Sequence, residues 1–468
     1  MGLANPDGPI LGRAGYLQHD DTTTKHHQGL PMSRDPQRSL AEEVGSLWAA
    51  VTPAAPDCPA LAGSVHADTV VIGGGFTGLS TALHLRKAGV DVVVIEAAEP
   101  GWGASGRNNG QVIPTLSRPD PDDIEARHGE AGERFVHLLR DCASFLFDTV
   151  REHGIPAEAE QTGWVQPVHT PGRMAIAERR VRQWSRRGAP VELLDAAAAR
   201  QMTGSNAWHG GFWNRSGGHV NPLALTRGLA QAALRAGARI HGNTVALDFA
   251  YHDGRWTVRT PHGTVRARAL VLATGTYTGE FSAALAPRIA REVIPVRSWQ
   301  MATQPLPASV RASLLPGRQS LSDTHGELYF ARFDARHRLV TGGAILLPFA
   351  RPARLRTMVG ARLQRLWPQI GELRFDHVWN GYVGMTEDFL PRFHRLGPDA
   401  WAWAGCNGRA VGLSVALGAE FAKAVCGVPD NQLALPFTDP TPMPMHGIAR
   451  RLAPMMLLPY RRRDRTEI

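Results

Sequence analysis

The stretch "TVVIGGGFTGLSTALHLRKAGVDVVVIE", Thr69 to Glu96, decides the fold. Thr69 to Ile72 is a β-branched run with no polar break, as in a buried parallel strand. Gly73, Gly75 and Gly78 follow as G-x-G-x-x-G. A helical pattern comes next, with Leu79, Ala82 and Leu83 on one face and Arg86 and Lys87 off it, stopping near Gly89. Asp91 to Ile95 is a second apolar strand, and Glu96 closes it. Each part has a job in a dinucleotide site. Gly73 permits the tight turn, a side chain at Gly75 would block a pyrophosphate, and Gly78 lets the helix lie close on the strands. The helix start, around Phe76 and Thr77, offers free N–H groups to phosphates. Glu96 lies about 20 residues beyond the glycines, where a carboxylate accepts ribose hydroxyls. The glycines alone are a weak signal; strand, glycines, helix, strand and acid within about 30 residues are a specific one.

The residues beyond Glu96 and Ala97 narrow the ligand. "EPGWGASGRNNGQ" (Glu99 to Gln111) fits neither helix nor strand period and is rich in glycine and small polar groups. Such a loop brings backbone N–H groups, Ser105 and Asn108 to a polar planar ligand. "GGGFTGLSTALHL" followed by "GASGRNNGQ" resembles the FAD-dependent oxidoreductases of the D-amino-acid oxidase and glycine oxidase superfamily. Within it, the chain resembles the γ-glutamylputrescine oxidase-like amine oxidases. "GGHVNPLALTRGLAQAALRAGARI", "ALVLATGTYTGEF" and "WNGYVGMTEDFLPRFHRLGP…AWAGCNGRAVGLSVALGAEFAKAVCG" match further pieces in order. The resemblance implies FAD held non-covalently by Gly73, Gly75, Phe76, Thr77, Gly78, Glu96 and Ala97. It extends the site through the loop Gly103, Ala104, Ser105, Gly106, Arg107, Asn108, Asn109, Gly110 and Gln111. Val245, by its backbone at the adenine, Thr274, Gly275 and the run Cys406, Gly408, Arg409, Ala410, Val411 and Gly412 complete it.

The expected architecture is a Rossmann-type α/β FAD-binding domain with an inserted sheet-plus-helices substrate domain, α+β overall. The FAD part comprises 41–119, 204–293 and 375–440, and the substrate part 120–203 and 294–374. Residues 1–40, polar and aperiodic, are expected to be a disordered tail, and 441–468 a basic end. Within these parts, Leu223 to Ala236 reads as a helix. Val245 to Ala250 and Trp256 to Thr260 read as a hairpin turning at Asp253-Gly254, and Val265 to Leu272 as one more buried strand. Phe135, Leu138, Leu139, Cys142, Phe145 and Leu146 form a helical core stripe ending at Gly154. Strands in 294–374 are expected to roof the flavin, with Trp299, Tyr329 and Arg332 facing substrate, Arg332 as a carboxylate clamp.

Composition sets bounds. With 468 residues and 43% hydrophobic content the chain suits two connected soluble domains. No apolar run approaches the roughly 20 residues of a membrane span, and no signal-peptide pattern opens the chain. Four scattered cysteines without C-x-x-C spacing suggest neither disulfides nor zinc, and His26-His27 has no ligand partner at metal spacing, so no metal is expected and a reducing cytoplasm is the default. The net charge of +9 comes from arginines interleaved with acids, without a basic aromatic stripe, which argues against nucleic acid. "ARRLAPMMLLPYRRRDR" combines an apolar patch with arginines. Either it packs on the core or it touches an anionic membrane surface.

One nucleotide motif and no second site for NAD(P)H point to electrons drawn from a small organic donor. The resemblance implies oxidation of a C–N bond of an amine or amino acid, such as a γ-glutamyl amine, polyamine, N-methyl or D-amino acid. Hydride passes to flavin N5 and the imine then hydrolyses. Electrons pass to oxygen, or to a quinone or another flavoprotein as in D-amino-acid dehydrogenases. A flavin-binding scaffold without turnover is the alternative. The sequence departs from the group's pattern in two places. Asn109 replaces a glycine of "GRNGGQ", and "GCNGRA" replaces "GYSGHG", so that Arg409 stands where a histidine is usual near the flavin pyrimidine. Cys406 sits in the same loop, although relatives with a flavin thioether attach it from another position.

Overall fold

The computed structural model of the chain describes residues 45–345 and 351–467. The expected polar tail, with His26-His27, lies outside the described residues. Two eight-stranded sheets carry the architecture. The first has the order Arg392–Gly397, Ala400–Ala404, Gly263–Leu272, Gly63–Ile72, Val92–Ile95, Arg239–His241, with the hairpin Asp248–His252 and Arg255–Thr260 paired onto Gly263–Leu272. Its centre is parallel, Val70 lying opposite Val93 and Leu270 in register.

Alternation along these strands sorts their side chains into two cores. Val71, Val94 and Val271 pack with the helices Phe76–Lys87, Pro121–His153, Pro222–Arg235 and Val411–Val425. Val70, Val93 and Leu270 face the hairpin, against Trp256 and Val258. Both faces are therefore covered, which is why the strands read as unbroken apolar runs. Asp253 and Gly254 both take positive φ, 51° and 73°, as a two-residue hairpin turn requires. The helix expected to end at Gly154 does so, with φ 59° there, but it begins at Pro121 and kinks at Gly129.

The second sheet runs Phe375–Met385, Ile294–Pro305, Arg338–Gly343, Phe330–Phe333, Ser320–Ser322, Trp164–Pro167, Gly211–Asn214, Val191–Leu194. Helix Arg351–Leu366 covers its outer face through Leu355, Val359 and Leu363. Two strands assigned above to the FAD part, Gly211–Asn214 and Phe375–Met385, belong to this sheet. The boundaries drawn at 204 and 375 therefore fall ahead of strands that continue the roof.

Candidate active site

The site grows from the carboxyl end of the first strand. Gly73 turns the chain with φ 112°, and a Cβ on it would lie 2.8 Å from Ala273 O. At Gly78 a Cβ would lie 2.0 Å from Gly73 O, so the helix meets the turn at backbone distance. A Cβ on Gly75 would also lie 2.8 Å from Ser105 Oγ, within the protein itself. Ser105 Oγ accepts the Phe76 N–H at 3.1 Å and so ties the second loop to the helix start. That start has no capping side chain and no acid in its first turn, which leaves its positive end for an anion.

Glu96 closes the next strand. Its Oε2 accepts the Gly74 N–H at 2.6 Å and its Oε1 the Ala98 N–H at 3.1 Å. Burial pushes this carboxyl upward in pKa, opposed by the backbone N–H groups of Gly74, Ala98 and Ala97. Around this point opens a cleft of about 1030 Å³, counting its mouth. Of the expected cofactor residues, Gly73, Gly75, Phe76, Thr77, Glu96, Ala97, Gly103, Ala104, Ser105, Val245, Thr274, Gly275 and Cys406 line it. Gly78 stands behind the turn. The sequence reading missed Trp102, Thr244, Tyr277, Trp403 and Ser414, which also line it. Trp102 and Tyr277 were visible as aromatics inside glycine-rich loops, and their rings meet edge to face at 5.9 Å.

Four buried polar atoms belonging to residues of the cleft wall, Thr77 Oγ1, Trp102 Nε1, Tyr277 OH and Trp403 Nε1, have no hydrogen-bond partner within the protein. Buried donors are normally satisfied, so a polar ligand is the fitting complement. Two open helix N-termini, a ribose-type carboxylate and orphaned donors together suit FAD.

Gly106 to Gln111 continue from the cleft as a tightly pinned loop. Asn108 Nδ2 donates to Ala104 O and Ser105 O, and Asn108 Oδ1 and Asn109 Oδ1 accept the Gly110 and Gln111 N–H groups. Arg107 lies over the Trp102 ring at 4.3 Å, its Nε donating to Trp102 O. The indoles of Trp48 and Trp379 donate to Asn108 O and Arg107 O, each at 2.8 Å. Gln111 Nε2 reaches Leu321 O at 2.9 Å.

The expected substrate-facing trio needs correction. Arg332 is 1% exposed, and its guanidinium donates to Asn109 O at 2.7 Å, Phe333 O at 3.0 Å and Val220 O at 2.8 Å. It stacks on Trp48 at 4.7 Å, and burial lowers its pKa to about 10. Three of its five N–H groups are engaged by backbone carbonyls, and it braces the loop Gly106 to Gln111 from a fully buried position. Trp299 points into the outer core with Met301 and Leu339. Tyr329 is wedged between the His325 ring, at 4.0 Å, and the Arg362 guanidinium, at 4.1 Å, packed against the same outer core. The reason is strand phase: Gln300 lies opposite Trp379, which reaches Arg107, so Ser298 and Gln300 take the inner face and Trp299 the outer.

Gly408, Arg409, Ala410, Val411 and Gly412 lead into the closing helix Val411–Val425, which also lacks a capping side chain and first-turn acid. Its Ser414 lines the cleft. Arg409 is buried at 4% exposure, donates from Nη1 to Thr115 Oγ1 and Leu116 O, and lies 4.9 Å from the Trp164 ring. Its Nε has no partner, and burial lowers its pKa to about 9.

A parallel sheet with an adenosine-type acid and a glycine turn at its carboxyl end, roofed by a second sheet, defines a flavin-dependent oxidoreductase. The chain belongs to the FAD dependent oxidoreductase family, DAO, whose model matches residues 68–424. It is 31% identical over 374 residues to gamma-glutamylputrescine oxidoreductase of Escherichia coli (strain K12), covering 80% of this chain and 86% of that protein. Its fold is shared with glycine oxidase from Geobacillus kaustophilus (TM-score 0.65, 22% identity, 77% and 95% of the two chains). It is also shared with L-proline dehydrogenase from P. horikoshii (TM-score 0.68, 20% identity, 81% and 98%).

Proposed function

We propose that the chain oxidises the C–N bond of a small amine, with a γ-glutamyl amine or polyamine as the leading substrate class. The 31% identity to gamma-glutamylputrescine oxidoreductase, sustained over 80% of the chain, is the observation that carries this reading. When bound, FAD supplies the two-electron acceptor for that bond. The chain supplies position and charge. On the inner face of the roof, Gln300 is 5% exposed, with Nε2 donating to Ser298 Oγ at 3.0 Å and Oε1 unpartnered. A buried acceptor without a donor suits an amine N–H. Arg409, a buried cation that forms no ion pair among the described residues, suits negative charge arriving at the pyrimidine end of the flavin.

Lys87 and Lys423 pair with Glu152 and Glu420, so among the described residues no lysine stands in a roof strand. The resemblance implies that a lysine over the flavin speeds its reaction with oxygen, so without one a quinone or a second flavoprotein is preferred to oxygen as the final acceptor. Anaerobic mixing of the yellow holoprotein with γ-glutamylputrescine, free polyamines, N-methyl amino acids and D-amino acids tests the reading. Loss of flavin absorbance with a γ-glutamyl amine or polyamine supports it. Bleaching only by D-amino acids shifts the substrate class, and no bleaching by any member leaves a flavin-binding scaffold.

A further inference from the structure

Among the described residues six large hydrophobic side chains are exposed, and five of them fall within 14 residues of one another: Met445 at 75%, Ile448 at 53%, Leu452 at 50%, Met455 at 54% and Leu458 at 51%. Met445 is the N-cap of helix His446–Leu452, and the others ride on that helix, the turn Ala453–Met456 and the start of helix Leu457–Thr466. Their steps of three and four residues keep them on one side.

The same segment is fastened to the protein by polar groups. His446 Nε2 meets Val293 O at 2.9 Å, and Arg450 pairs with Glu280 at 2.8 Å. Tyr460 OH accepts from Arg118 at 2.6 Å, Arg461 pairs with Glu327 at 2.6 Å, and Asp464 accepts the Gly326 N–H at 2.9 Å. A segment washed by water on its outer side is arranged the other way, apolar inward and polar outward. Of the two expectations for this end, packing on the core is not what its apolar side chains do: polar groups fasten it and the apolar stripe faces out.

We propose that this face docks on an anionic lipid surface. Charge selects the occupant. Residues 441–468 hold six arginines against two acids, and Arg451, Arg462 and Arg463 are exposed beside the apolar stripe. A second copy meeting this face across a two-fold axis would set arginine against arginine. A bilayer of anionic headgroups offers the complement, with the apolar side chains entering the acyl boundary. The inference is independent of the substrate: it stands on the outward face and not on the cleft.

The test is sedimentation of the full-length holoprotein with vesicles of phosphatidylglycerol and phosphatidylcholine, or of phosphatidylcholine alone, at 0.1 and 0.5 M NaCl. Binding to the anionic vesicles is expected, weakened at least several-fold by the higher salt. The triple variant Ile448→Ser/Leu452→Ser/Met455→Ser is expected to lose at least tenfold in partitioning. Arg451→Gln/Arg462→Gln is expected to lose several-fold. Unchanged flavin content shows that both variants keep the fold. Three results overturn the proposal: no vesicle binding, equal binding to phosphatidylcholine alone, or a wild-type dimer by light scattering that the triple variant converts to monomer without any vesicle affinity.

Discussion

Replacing Arg332 by Met separates a brace from a substrate clamp. The guanidinium satisfies three carbonyls, those of Asn109, Val220 and Phe333, at a position 1% exposed. Methionine fills much of the volume but strands these acceptors. Each costs about 1–3 kcal/mol when left unpaired, and in one network the losses do not simply add, so about 3–6 kcal/mol is expected. For 468 residues at about 2.1 cal/mol/K each, the unfolding entropy is about 1 kcal/mol/K. The thermal midpoint of the apoprotein should then fall by about 3–6 °C. Arg332→Lys, which keeps the charge but cannot span three acceptors, should fall between the two. Because Arg332 Nε holds Asn109 O, flavin retention after gel filtration should also drop. Differential scanning fluorimetry and the ratio of flavin to protein absorbance measure both. A variant with the wild-type midpoint and full flavin content, but a raised KM for carboxylate-bearing amines, would refute the brace and restore the clamp.

Further outcomes follow from the same contacts. Glu96→Gln should weaken FAD binding by roughly 10- to 100-fold, the worth of a charge-assisted hydrogen bond at about 1.5–3 kcal/mol, read by titrating FAD into apoprotein. Burial raises the Glu96 pKa in the empty fold, so the folded state holds a proton that the unfolded state has lost, and apoprotein stability declines as pH rises through that window. Ribose hydroxyls favour the carboxylate, so FAD affinity should fall as pH drops below the raised value, while Glu96→Gln should show a flat profile. Gly78→Ala puts a Cβ 2.0 Å from Gly73 O and should abolish flavin uptake, visible as colourless purified protein. Arg409→Met removes a buried cation with no ion-pair partner among the described residues but strands Thr115 Oγ1 and Leu116 O; at about 1–3 kcal/mol per acceptor, partly offset by relief of the buried charge, the thermal midpoint should fall by a few degrees, while the reduction potential of the bound flavin falls.

Legibility in the sequence followed the range of the interactions. Thr69 to Glu96 could be read because its strand, turn, helix and acid are neighbours along the chain, and their spacing alone sets Gly74 N–H against Glu96 Oε2. The hairpin at Asp253-Gly254 was equally local. The roof was not. Trp299 and Gln300 are adjacent, and only their pairing with Asn380 and Trp379 fixes which one faces inward. Arg332 looked like a ligand clamp because it falls in a strand expected to roof the flavin. Its acceptors, Asn109 O and Val220 O, come from more than a hundred residues away. Trp48 gave no signal of its role under the flavin loop, since its partner Asn108 O belongs to a later segment.

The central claim is a flavin seated between the glycine turn, Glu96 and the loop of Ser105, and its most direct test is reconstitution. Apoprotein titrated with FAD should take up one equivalent, with the absorbance of bound flavin appearing and tryptophan fluorescence quenched through Trp102 and Trp403, both of which line the cleft. Failure to take up FAD, or uptake of equal strength by the Glu96→Gln variant, would contradict the account.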